Sequence, residues 1–272
     1  MVTKIVLLYP NASFPFLIEK FFLFYSTRPI NLPLILAPLS HSNAEKSQIF
    51  LGTSSEQELP IYTPTFPEQN AGRLITHSGA KLIQKEMIKA LRTIKLEAKM
   101  PDFNLNILLH KSVPFVDKYT YFVLINCVAE QQTQIYDKFC QFVDGRIRRQ
   151  IVYNLDPKNG PNIGTHLYPD IYQHNCEMAN EFLALAFKPN FCKVWLIGIS
   201  SNVNSAQMNP LLAQFDGTIR KDFLKLNPIN GNEQIPGEKM PKTLDIVGKF
   251  ENFKLQLKSI LVNKWELLDY QF

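Results

Sequence analysis

The chain has 272 residues, 46% hydrophobic and 19% charged, with 29 Lys and Arg against 24 Asp and Glu for a net charge of +5. That composition supports a sizeable core and excludes a disordered chain, while the mild basic excess names no partner by itself. With only 11 Gly, and neither G-x-G-x-x-G nor G-x-x-x-x-G-K-[ST] present, a dinucleotide or P-loop enzyme is disfavoured, because phosphate loops need close glycines.

In chain order, Ile5 to Tyr9 is a short apolar run stopped by Pro10-Asn11 and reads as a buried strand. Phe14 to Tyr25 reads as an aromatic-rich helix, and Leu34 to Leu39 and Gln48 to Leu51 as strands. Glu19 and Lys20 interrupt the apolar stretch, so neither a secretory signal nor a membrane span is expected, and the expected location is cytoplasmic. Residues 53–71, rich in Ser, Thr, Pro and Glu, read as a loop with a short edge strand at Pro60-Ile61-Tyr62. From about Ala71 to Lys95, Leu74, Leu82, Ile83, Met87, Leu91 and Ile94 recur at helical spacing.

Phe103 to Leu109 and Tyr121 to Val128 read as strands. A helix is expected from about Ala129 to Asp144, capped by Gly145. After a loop over 154–165, a helix is expected to open near Pro169 and run to about Phe187. Lys193 to Ile199 is the clearest central strand, residues 227–242 a loop, and the tail from Leu244 to Leu268 helical. The four cysteines, Cys127, Cys140, Cys176 and Cys192, form no C-x-x-C and sit among apolar neighbours, as buried thiols of an intracellular protein do.

Two charged stripes carry the functional reading. Asp170, His174, Glu177 and Glu181 follow one another at spacings of four, three and four, which stacks them on one helix face. His166 precedes them by four but lies before Pro169, which disfavours helical backbone ahead of it. Carboxylates beside an imidazole suit a divalent metal or proton transfer, so Asp170, His174 and Glu181 are candidate catalytic residues and Asp170, His174 and Glu177 candidate metal ligands. One helix supplies too few ligands, and His110 or His77 are candidates to complete the set. The bland alternative is a solvated face with Asp170 favouring the helix dipole.

The second stripe is cationic. Lys81, Lys85, Lys89 and Arg92 line one face of the 71–95 helix, and Arg146, Arg148 and Arg149 form another cluster. Such surfaces hold phosphate backbones through counterion release, though a lysine row is also the ordinary solvated face of a helix. Gly198-Ile199-Ser200-Ser201-Asn202 resembles a nucleophile elbow, but no histidine follows Ser200, so a strand-end turn is the plainer reading.

These readings converge on one α/β domain over 1–272, with a mixed sheet flanked by helices, an α+β arrangement as the alternative and a subdomain division near 155 as a variant. The expected function is binding of nucleic acid or another phosphate polymer. If the chain is an enzyme, it is expected to be a metal-assisted nuclease or phosphoesterase using a divalent cation. The competing expectation is a non-catalytic subunit that packs against protein partners, as 20 Phe, 10 Tyr and 18 Pro would suit.

Overall fold

The computed structural model describes residues 1–36, 58–65, 68–97, 108, 114–156, 163–173, 189–200, 203–226 and 255–269. It divides into two compact units, Met1–Ser112 and Val113–Phe272, so residue 155 lies within the second. The expected strands at Gln48–Leu51 and Phe103–Leu109 and the loop at 227–242 fall largely or wholly outside the described residues.

The first unit contains helices α1 (Val2–Leu8), α2 (Phe14–Thr27) and α3 (His77–Glu97). A proline in its first turn favours the start of α2, and Arg28, placed before Pro29, leaves helical backbone and ends it. Ile5, Tyr25 and Leu34 are buried together, with Phe21, Phe24 and Met87 against them. The Tyr25 hydroxyl donates to the Met1 carbonyl at 2.8 Å.

The run Ile5–Tyr9 is therefore helical, where a strand was expected. A short apolar run does not distinguish the two by periodicity. Only Ile5 enters the core, while Val2, Val6, Leu7 and Leu8 stand exposed. No strand pairs with the run among the described residues, so the helix satisfies its backbone groups locally.

The edge strand expected at 60–62 reduces to bridges between Leu34 and Ile61 and between Tyr62 and Asn70. Asn70 Oδ1 accepts from the backbone N–H groups of Ile61 and Gly72 at 2.9 and 2.7 Å. A Cβ on Gly72 would overlap the Leu59 carbonyl. These ties hold Ala71–Leu74 in a turn, so α3 starts at His77 rather than Ala71. Thr76 Oγ1 accepts the Gly79 N–H at 3.2 Å at that start.

The second unit is built on an antiparallel sheet. Its strands are β1 (Tyr121–Ala129), β2 (Thr165–Leu167), β3 (Tyr172–Gln173), β4 (Phe191–Ile199) and β5 (Leu255–Asn263), in spatial order β2-β4-β1-β5 with β3 also on β4. Helix α4 (Gln134–Arg146) connects β1 to the β2 region, and α5 (Ser205–Leu226) connects β4 to β5. This order, with β1 and β4 central, is that of the ferredoxin-like split βαβ arrangement. Helices combined with a sheet match the expected class, and the antiparallel ladder is the form the α+β alternative described.

Alternation along the central strands separates two apolar layers. Val123, Ile125, Cys127, Trp195, Ile197 and Ile199 meet Phe139 and Val143 of α4 and Leu212, Phe215, Ile219 and Phe223 of α5. The Phe139 and Phe223 rings meet edge-on, centroids 4.9 Å apart. Phe122, Leu124, Val194, Leu196 and Val262 form the opposite layer, with Phe115, Tyr119, Tyr168 and Tyr172 against it. Each fully buried Leu, Ile or Phe contributes roughly 1.5–3 kcal/mol, which explains why β1 and β4 are apolar on both faces.

Two helix ends depart from the expected positions. Gly145 does not end α4, because Ile147, Ile151, Val152 and Leu155 continue the buried stripe through a π-helical segment, Ile147–Val152, and a single turn, Tyr153–Leu155. The tail is β5 followed by the short helix α6 (Lys264–Asp269), not one helix. Leu255, Leu257 and Ser259 alternate inward along β5, and Asp216 of α5 secures Ser259 through its N–H at 2.9 Å and its hydroxyl at 2.6 Å.

Candidate nucleic-acid interface

In the first unit, Lys81, Lys85, Lys89 and Arg92 are all exposed on α3, and the apolar side of that helix carries Met87 and Ile94. The cationic row expected from spacing is therefore a solvent-facing stripe. His77, at the start of α3, does not stand open: its Nδ1 lies 2.8 Å from Oε2 of the buried Glu58.

In the second unit, Arg148 and Arg149 are exposed on the π-helical segment. Arg146 differs, since its guanidinium lies 3.3 Å from the centroid of the Phe142 ring in a cation–π contact.

The acidic stripe loses its geometry at Asp170. Residues Pro169 and Asp170 form a bend between β2 and β3, not the first turn of a helix. The Tyr168 N–H donates to the Leu196 carbonyl at 2.8 Å, and Tyr172 pairs with Val194. Five steps separate Leu167 from Tyr172, but only three separate their partners Ile197 and Val194 (172 − 167 = 5; 197 − 194 = 3). Two extra residues on a sheet edge make a bulge, and Pro169 and Asp170 are the residues it pushes into solvent. His174, Glu177 and Glu181 lie outside the described residues, as does His110. Among the described residues, no group of three or more His, Cys, Asp or Glu could hold a metal ion. Asp170 by itself supplies too few ligands for a divalent cation.

His166, considered as a ligand from a loop, lies instead on β2. Its Nδ1 is 2.6 Å from the Tyr119 hydroxyl. Around it the sequence reading missed an aromatic cluster. Phe115 lies 5.0 Å from His166, 5.2 Å from Tyr119 and 4.9 Å from Tyr168, centroid to centroid. Tyr168 and Tyr172 stack at 5.1 Å with planes 14° apart. All five rings are half-buried, so each keeps an accessible edge or face. Burial, and then the hydrogen bond with Tyr168, raises the Tyr172 phenol above its ordinary range. The i, i+4 pair of tyrosines was readable, but an assumed helix hid its meaning as two residues on one sheet edge.

The Ser200 hydroxyl donates to the Gly164 carbonyl at 3.2 Å and its N–H to the same oxygen at 2.9 Å, the pairing of a strand end. Cys127, Cys140 and Cys192 are buried thiols as expected, with the Cys127 and Cys140 sulfurs 3.3 Å apart, and Cys176 lies outside the described residues. No helix among the described residues is long and apolar enough to cross a membrane.

Known proteins resemble both units. The family described as "Poly(A) polymerase central domain" matches residues 1–109. A poly(A) polymerase of Dictyostelium discoideum is 22% identical over 237 residues, covering 84% of this chain. The chain spans only 28% of that relative's length. The family match stops close to the division at Ser112, so it coincides with the unit that carries the α3 cations. A polymerase name describes nucleotide transfer, not the phosphodiester hydrolysis expected from the sequence.

Proposed function

We propose that this chain is an RNA-holding part of a poly(A)-polymerase-like nucleotidyltransferase and grips single-stranded polyadenylate. The observation that carries this reading is the poly(A) polymerase match over residues 1–109, in the unit where Lys81, Lys85, Lys89 and Arg92 form an exposed row. Cations on a rigid helix bind a phosphate backbone without regard to sequence. The half-buried rings of Phe115, Tyr119, Tyr168 and Tyr172 in the second unit add surfaces on which unpaired bases stack.

Transfer then stands in place of hydrolysis, and no catalytic step rests on the described residues. Exposed Val2, Leu7, Leu8 and Phe14 offer apolar contacts to a further part of such an enzyme. Fluorescence anisotropy with labelled 15-nucleotide oligo(A), oligo(A)–oligo(U) duplex and heparin tests the proposal. Salt-sensitive binding of the single strand, stronger than that of the duplex, is expected. Equal binding of all three, or none of the strand, overturns it.

A further inference from the structure

The π-helical segment Ile147–Val152 and the following turn lie beside α5, and a cleft of ≈ 220 Å³ opens between them. A π turn takes in an extra residue relative to an α turn, a distortion that recurs at functional sites. The floor is apolar, with buried Leu212 and Phe215. The rim is made of neutral amides and a hydroxyl, from Gln150, Asn154, Gln214 and Thr218. Among the described lining residues none is charged, so the cleft is not a phosphate site.

The local bonding leaves reading groups available. Asn154 Nδ2 donates to the Gln150 backbone carbonyl at 2.7 Å, which fixes that side chain at the rim. Thr218 Oγ1 donates to the Gln214 carbonyl at 2.8 Å, so its lone pairs can still accept. Gln150 Oε1 is buried without a hydrogen-bond partner among the described residues. An unpartnered buried amide oxygen costs free energy, and turning it towards an incoming donor would recover a hydrogen bond. The cleft is smaller than the roughly 300–1,000 Å³ of a drug-sized site, which suits a single flat ring system.

We propose that this cleft takes an adenine base, lying over Leu212 and Phe215, with its exocyclic amine and ring nitrogens met by the carboxamides of Gln150 and Gln214. A carboxamide offers a donor and an acceptor side by side, the complement of adenine's amine and N7. Exposed Arg148 and Arg149 on the same segment supply positive charge for an attached phosphate. The base comes from a polyadenylate strand or from a free adenine nucleotide. The strand source rests on the function proposed above; the base site does not.

The test uses the full chain with Gln150→Leu and Gln214→Ala, each checked by thermal unfolding. The first removes a carboxamide whose buried oxygen has no hydrogen-bond partner among the described residues and the second an exposed one, so both are expected to fold. Adenosine and AMP are titrated by saturation-transfer NMR, and oligo(A) and oligo(C) by anisotropy. If the strand is the source, wild type prefers oligo(A) by roughly tenfold, the variants lose that preference, and oligo(C) binding stays unchanged. If a free nucleotide is the source, AMP binding falls in the variants while the strands bind alike or not at all. Strand binding that fails while AMP binding survives sinks the polyadenylate function and leaves the base site standing. Adenosine and AMP that do not bind wild type, together with an oligo(A) preference absent or unmoved by the variants, overturn the site.

Discussion

Replacing Lys85 and Lys89 by glutamine gives a quantitative test of the cationic row. At about 100° and 1.5 Å per residue, Lys81, Lys85, Lys89 and Arg92 fall within an arc of about 80° and span about 16 Å of α3. All four are exposed, so each is free to neutralise one phosphate. For a single strand the logarithm of affinity falls against the logarithm of salt with a slope of about −0.7 per contact, hence about −2.8 for four and about −1.4 for two. Between roughly 50 and 200 mM salt the wild type would lose about 50-fold in affinity and the double variant about 7-fold. Anisotropy titrations of labelled oligo(A) across that range measure both slopes. A slope that stays the same in the variant refutes the reasoning, because the row would then touch no phosphate. Exchange to glutamine keeps helix propensity, so unfolding curves should coincide.

Phe139→Ala should lower the unfolding free energy by about 3–5 kcal/mol in urea titrations, since Phe139 is fully buried against Phe223 and leaves a cavity. Gly198→Ala should destabilise by about 1–3 kcal/mol and change the near-ultraviolet tyrosine signal, because the new Cβ would collide with the Tyr119 ring and break its contact with His166. Burial raises the Asp216 carboxyl above its ordinary range, against the opposing Ser259 hydrogen bonds and the charges of Arg220 and Lys258. Its proton-linked stability is complete below about pH 3.9 and is lost as pH rises through the raised value, so Asp216→Asn should gain on wild type between acid and neutral pH. Melting temperatures across that range check the sign, and a variant that loses ground as pH rises would contradict it.

Where burial sets an element's pattern, the sequence was legible. The α3 periodicity on one face and the apolar β1 and β4 runs on both were readable for that reason, and the Phe14 helix was readable too, although Tyr25 is the one residue of it that is buried. Elements decided by pairing were not. Leu255-Gln256-Leu257-Lys258-Ser259 alternates as an edge strand should, but a helical tail was the competing pattern for Leu and Lys residues. The end of β5 had a stronger local signal. Asn263-Lys264-Trp265-Glu266 is a capping box, with Asn263 Oδ1 accepting the N–H groups of Trp265 and Glu266 at 2.9 Å each and Glu266 returning a bond to the Asn263 N–H at 2.8 Å.

The candidate acidic site shows how a correct motif can sit on the wrong element. Pro169 suits the first turn of a helix, and that made Asp170 the start of a stripe. Proline equally suits a bulge on a sheet edge, where its missing N–H is not needed. β4 offers Leu196 and Val194 as partners on either side, and these long-range bonds outweigh a helical turn that would have no packed face at Asp170. The same bulge brings Tyr168 and Tyr172 into a stack, although three residues part them in sequence. The helical reading placed a carboxylate beside an imidazole. The sheet edge gives adjacent aromatic rings, the surfaces that the proposed binding of single-stranded RNA would use for its bases.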